Sequence, residues 1–341
     1  MGPIPVSDGI GREVISDIQT DLRTGGLRPE LFTDSNGREF LQRVWNSRPS
    51  WDLEVFEPVA GNYYPISAAA YLAEGTDGQG LPLQLSVLSD RAEGAASLRD
   101  GQLELMLHRR LLADDDKGVD EALNETVGGM SHYPTWTRSG DGIVARGRHW
   151  LLLSDRRTAM RELRTAMDQL FLPLLSFYSE ARSGYRSGHG SGYRSGHGPE
   201  GKGVGSGWIS PLSSDLPENV HLVTLEALSD SQLLVRLGHQ FAAKEDENGL
   251  SDDVQLDLRA LFARFSPLSC DEYTLSANQL YSDRQKHKVH WKSRSDSDIG
   301  QADRAPQRGQ GKGSNKGKGK DSDGCSITLS AMQIKTYIIN Y

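Results

Sequence analysis

Apolar and polar residues alternate along most of this chain, and the alternation comes in short runs. "QLSVL" (84–88), "QLELML" (102–107) and "HWLLL" (149–153) read as strands bounded by the turn-forming segments "TDGQG", "RDGQ" and "SGDG". Val14–Asp21 reads as a further strand, whose sandwich neighbours are expected upstream. One segment breaks the period. "SDRRTAMRELRTAMDQL" (154–170) places Ala159, Met160, Leu163, Ala166, Met167 and Leu170 on one stripe, with Ser154 or Asp155 to cap it and Pro173 to close it. An amphipathic helix lying on a sheet is expected there, its methionines packed as core.

After Trp208 alternation returns in "VHLVTLEAL", "QLLVRLGHQF", "VQLDLRALF", "YTLSANQL" and "CSITLSAMQIKTYII", all read as strands of a second β unit. Strands this short, separated by turns and not by helices, predict antiparallel sheets packed face to face. Two low-complexity stretches divide the chain. The octad SGYRSGHG occurs twice, at 183–190 and 191–198, inside a Gly/Ser-rich segment that reads as a linker or loop insertion over 182–207. His189 and His197 within it are weak metal candidates. A basic Gly-rich stretch around 304–320 marks a second insertion, 294–324, read as a solvated loop between strands. The expected organisation is a central β-sandwich region over 1–181, N-terminally incomplete, and a C-terminal β domain over 208–341.

Composition narrows the function. The chain has 341 residues, 36% hydrophobic and 25% charged, with a net charge of −8, which argues against nucleic acid or an anionic membrane as the main partner. No apolar run is long enough to span a membrane, and the first residues lack the pattern of a signal peptide. Cys270 and Cys325 make neither a disulfide framework nor a four-ligand zinc site; two free thiols are expected, a mutual bridge being the alternative. Asn124-Glu125-Thr126 is a sequon, a glycosylation site only in a secretory compartment.

Metal and nucleophile motifs are absent from the sequence. It holds no His-x-Asp, HExxH, CxxC, G-x-S-x-G or P-loop, and its glycine-rich segments lack the flanking βαβ pattern of a dinucleotide fingerprint. His287 and His290 would point to opposite faces of a strand. The densest chemistry is in "SLRDGQLELMLHRRLLADDDKG" (97–118). Strand parity places Leu103, Leu105, Leu107, Arg109 and Leu111 on one face, and Glu104, Met106, His108 and Arg110 on the other. Arg109 is therefore expected to point inward, where a guanidinium needs a partner that Asp114–Asp116 can supply. The plainer reading is an Arg–Asp clamp closing the turn; the sharper one is an arginine aimed at a binding site.

"FTDSNGREFLQR" (32–43), "FEPVAGNYYPI" (56–66), "SVLSDRAEGAASLRDGQLELMLHRRLLADDDKGV" (86–119) and "VRLGHQFAAKED" (235–246) resemble the C-terminal half of α-mannosidases of glycoside hydrolase family 38, the lysosomal branch in particular. "YTLSANQL" and "ITLSAMQIKTYI" extend the resemblance to the last strands. It implies an all-β fold: a galactose-mutarotase-like supersandwich portion, then a smaller β-sandwich, with one helix. It also implies retaining hydrolysis of terminal α-mannosides of N-glycans, using a carboxylate nucleophile, a second carboxyl as acid/base, and zinc. In the family those groups lie in an N-terminal catalytic domain whose His-x-Asp is missing here. The resemblance therefore implies no catalytic residue, metal ligand or cofactor in this chain, and no activity for it alone. Its partners would be the catalytic domain, in cis or in trans, and α-mannoside glycans through the parent enzyme, in the lysosome or the secretory-pathway lumen. In the family's Golgi relatives an arginine of the segment matching "HRRL" reaches the active-site pocket; Arg109 ranks first and Arg110 second as that rim residue. Asp114 and Asp115 match the family's acidic turn, in which Lys117 replaces an arginine. "TDSNGRE" and "GNYYP" read as turn and packing elements. The alternative is a non-catalytic carbohydrate-binding or scaffold module, in which Tyr63, Tyr64, Trp136 or Trp150 stacks on sugar rings.

Overall fold

The computed structural model describes residues 11–50, 52, 54–75, 82–111, 114, 118, 126–127, 141–176, 210–263, 265–287 and 325–341. Asp115, Asn124, Trp136, His290 and the segments 182–207 and 294–324 lie outside the described residues.

The chain runs through β1 (Gly11–Gln19), β2 (Glu30–Asp34), β3 (Phe40–Val44), β4 (Tyr64–Ile66), β5 (Ala69–Ala73), β6 (Leu83–Ser89), β7 (Glu93–Ala96) and β8 (Gln102–Leu111). The short β9 (Thr126–Val127) and β10 (Asp141–Gly142) pair with each other; β11 (His149–Asp155) then leads into helix α1 (Arg156–Phe171). Two antiparallel sheets result, ordered β1-β8-β7-β4 and β11-β6-β5-β2-β3. The three alternating runs read from the sequence fall inside β6, β8 and β11. Leu31, Ile66, Leu72, Val87, Leu103 and Leu105 fill the space between the sheets. Each is worth about 1.5–3 kcal/mol of burial.

Helix α1 covers the other face of the second sheet. Asp155 caps it, its carboxylate accepting from Arg157 N–H at 3.0 Å. Met160, Leu163 and Met167 pack on Ala68, Ala69 and Leu88, with Ala166 and Leu170 at the margin, so the stripe is the one that the spacing predicts. Because the helix lies there, β6 is buried on both faces.

A second unit contains β12 (Val220–Ser229), β13 (Gln232–His239), β14 (Val254–Asp257), α2 (Leu258–Leu261), β15 (Ser269–Tyr273), β16 (Ser326–Leu329) and β17 (Ile334–Asn340). Its four-stranded sheet has the order β12-β13-β17-β15, and β14 pairs with β16. Val235, Leu237, Leu258, Leu329 and Ile339 are its centre.

Several details differ from the sequence reading. "VQLDLRALF" is not one strand: Asp257 ends β14 and accepts from Arg259 N–H at 3.0 Å, starting α2. "YTLSANQL" is mostly turn, with Ala277 at φ 58°, and only Tyr273 belongs to a strand. Strand β1 stands at the edge of its sheet and pairs with β8, far downstream in the chain. Cys270 and Cys325 are not free thiols but a disulfide, with Cα atoms 5.0 Å apart. Their separation of 55 residues carries no geometry by itself. The fold brings β15 beside the residue preceding β16, deep in the second core.

The two units are tied together mainly through α1. Arg164 pairs with Glu245 at 2.8 Å, the side chains only 6% and 8% exposed, and its guanidinium lies 5.1 Å from the Phe40 ring centre. Arg38 donates to the His239 carbonyl at 2.8 Å, and Gln240 to Asp168 at 3.1 Å. Burial, and then the Arg164 charge nearby, lowers the Arg38 guanidinium from its ordinary value.

Candidate functional site at the end of strand β8

Strand β8 is regular as far as Met106 and then gains a residue. Ile15 pairs with Met106 and the adjacent Val14 with His108, so Leu107 is extra. Such a bulge shifts the parity of the residues that follow it, and Leu111 at the strand end is buried as well. Leu103 and Leu105 face the core as read, but past the bulge Arg110 is 4% exposed and Arg109 is on the outer face. Sequence parity ranked the two arginines in the opposite order, because an alternating run carries no mark of where a residue is inserted.

Arg109 Nε lies 3.2 Å from Glu13 Oε1 on β1, and both side chains are close to half exposed. A pair this wet contributes at most about 1 kcal/mol. Asp114 is half-buried beyond the strand end.

Beside the bulge a cleft of about 330 Å³ opens. Its polar wall is Arg91, Glu93, His108 and His149; Val14, Leu107, Ile143 and Val144 supply apolar surface. His149 Nε2 is 2.8 Å from Glu93 Oε2, a carboxylate whose side chain is only 4% exposed. This contact joins β11 of one sheet to β7 of the other. Arg91 Nε donates to Asp90 at 3.1 Å and its guanidinium lies along the Gly147 backbone, where a Cβ would approach to 3.3 Å. The site therefore offers imidazole, guanidinium and carboxylate at one rim of the sandwich, suited to orienting a polar ligand. The described residues contain no group of three or more His, Cys, Asp or Glu side chains able to hold a metal ion. Sequence reasoning missed Glu93 and His149, which are far apart in the chain and meet only through sheet packing.

The described aromatic candidates for sugar stacking, Tyr63, Tyr64 and Trp150, are otherwise engaged. Tyr63 donates to Glu104 Oε1, and Gly94 leaves the room its ring needs, a Cβ there falling 3.1 Å away. Burial first, then Glu104, raises the Tyr63 hydroxyl well above its ordinary value. Tyr64 lies under the Arg43 and Arg48 guanidinium groups, 4.6 and 4.9 Å from the ring centre. Trp150 packs beneath α1.

The signature segments are structural. Asp34, fully buried, accepts from the backbone N–H groups of Gly37, Ser67, Ala68 and Ala69. Asn36 accepts from Arg38 and Glu39, with Gly37 at φ 74° completing the turn. Asn62 of "GNYYP" bonds Asn46 in both directions and donates to the Pro58 carbonyl.

Residues 6–117, which contain this strand end, match the model described as the glycosyl hydrolases family 38 C-terminal domain. The chain is 41% identical over 340 residues to the lysosomal alpha-mannosidase of Cavia porcellus, covering 99% of itself and 29% of that protein. To the lysosomal alpha-mannosidase of Homo sapiens it is 42% identical over 282 residues, 82% of this chain and 24% of the relative. To the alpha-mannosidase of Canavalia ensiformis it is 34% identical over 342 residues, 100% of this chain and 31% of the relative. The chain spans less than a third of the length of these relatives. In residues 6–117 it is thus similar to the C-terminal domain of the family 38 glycosyl hydrolases, and along almost its whole length to lysosomal alpha-mannosidases.

Proposed function

We propose that this chain is the β-rich C-terminal portion of a lysosomal-type α-mannosidase. On this reading it frames one side of a pocket whose hydrolytic groups belong to the family's catalytic domain, met in cis or in trans. Its own task is positional. The bulged end of β8 carries a buried Arg110 and an outward Arg109 to the rim, with His149 and Glu93 fixing the two sheets behind them. The reaction served is retaining hydrolysis of terminal α-mannosides of N-glycans, in which one carboxylate attacks the anomeric carbon and a second carboxyl protonates the leaving oxygen. Zinc, which holds sugar hydroxyls in the family, finds no matching donor set among the described residues. The compartment that follows from this reading is the lysosome or the secretory-pathway lumen.

The observation that carries the reading is 41% identity along 99% of the chain to a lysosomal alpha-mannosidase that the chain covers only in part. The test is direct. The purified chain, with and without added zinc, is expected to leave p-nitrophenyl α-mannoside unhydrolysed. Turnover that co-purifies with the chain and rises with its concentration would overturn the proposal.

A further inference from the structure

Away from the β8 rim, two cavities adjoin along the opposite side of the sandwich. One, of about 430 Å³, lies between β2, β5, the first turn of α1 and the loop after β13; the other, about 510 Å³, continues past β2 toward Thr24 and Asp100. They share Phe32, Ala73 and Arg156, so they form one elongated cleft. Both volumes are in the range of small-molecule sites.

The lining has three chemical features. The first is an aromatic platform: Phe32 and Tyr71, cross-strand partners on β2 and β5, stack with ring centres 4.5 Å apart and planes 7° from parallel. Phe40 tilts against Tyr71 at 5.2 Å without lining either cavity, so Phe32 is the outer ring, bordering both. The second is unspent polar capacity. Tyr71 lines the cavity, and its hydroxyl makes no hydrogen bond among the described residues. Burial, and then the Glu245 carboxylate, raises it above its ordinary value, which keeps it a donor. Gln84 uses its amide N–H groups on Ser86 and Met160, while its carbonyl oxygen accepts nothing among the described residues.

The third feature is balanced charge. Arg23, Arg156, Arg157 and Lys244 are interspersed with Glu30, Glu74, Asp100, Glu245 and Glu247. A strongly anionic or cationic ligand would meet like charge along this cleft. A neutral molecule with many hydroxyls would use donors and acceptors together, and a pyranose presents the apolar face that an exposed aromatic ring accepts.

From this we infer that the cleft is a second carbohydrate site, distinct from the β8 rim, which binds a neutral oligosaccharide with one ring on Phe32 and hydroxyls on Tyr71 and Gln84. It goes beyond the mannosidase reading and does not require it, since binding is measured without turnover.

The test is titration of the purified chain with mannotriose and with cellotriose, followed by saturation-transfer NMR or calorimetry. Roughly millimolar binding of at least one is expected. Phe32→Ala should weaken it about 10-fold. Tyr71→Phe, which preserves the stack and so the fold, should weaken it about 5-fold through the lost hydroxyl. Binding that weakens in both variants supports the site. No binding of either sugar at millimolar concentration, affinity unchanged in Tyr71→Phe, or binding confined to a sulfated oligosaccharide would overturn it.

Discussion

The two β units solve one problem in different ways. The first packs two sheets and a helix, so that β6 is buried on both faces, and it anchors its turns with enclosed polar side chains. Asp34 collects four backbone donors; Asp100 binds the N–H groups of Thr24 and Gly26. The second has, among its described residues, a four-stranded sheet, a two-stranded pair and one very short α-helix, and a disulfide lies inside its core. The first unit is held by layering and polar pins, the second by a covalent staple across 55 residues. The comparison teaches where each is vulnerable.

The largest effect is expected at the staple. A loop closed over 55 residues contributes about 4 kcal/mol by chain entropy. Cys270→Ala with Cys325→Ala should lower unfolding free energy by about that amount in denaturant titration. Hydrogen exchange should accelerate in β15–β17 before β5 and β6; uniform acceleration would erase the distinction between the units.

Next is the seam. Arg164→Ala leaves Glu245 buried without its partner, a loss of about 3 kcal/mol. It should also loosen the docking of α1 on the second unit, read as earlier proteolysis between the two. A variant that unfolds as cooperatively and as late as the wild type would remove this pair as the link.

A smaller effect concerns the helix start. The Arg157 guanidinium and N–H hold the Asp155 carboxyl at about 2, below its ordinary value near 4. Its folded value is depressed, so its contribution is present above about pH 4 and is lost as pH falls through about 2. Helical signal from α1 should decline over that window, and Asp155→Ala should flatten the decline.

Much of this was legible in the sequence, for physical reasons that differ by element. The α1 stripe is a period that tolerates little ambiguity, and β6, β8 and β11 alternate cleanly. Short-range chemistry was harder to see: Asp257 turned an apparent strand into a cap, and Met332 at φ 60° splits the last run into β16 and β17. Arg164 lies between Leu163 and Met167 on the helix, and its charge hides that it is buried. The disulfide, the His149–Glu93 contact and the Phe32–Tyr71 platform depend on distant segments meeting, which no local pattern encodes. The bulge at Leu107 is the sharpest case, for a single extra residue exchanged which of two neighbouring arginines is buried.

That exchange is the centre of the account, and it has a plain test. Arg109→Ala and Arg110→Ala are compared by equilibrium unfolding of the same chain at two salt concentrations. The half-exposed Arg109–Glu13 pair predicts a loss below about 1 kcal/mol that shrinks as salt rises. The buried Arg110 predicts a loss of about 2 kcal/mol with little salt dependence. Equal losses, or the larger one at Arg109, would contradict the bulged register and return the inward position to Arg109.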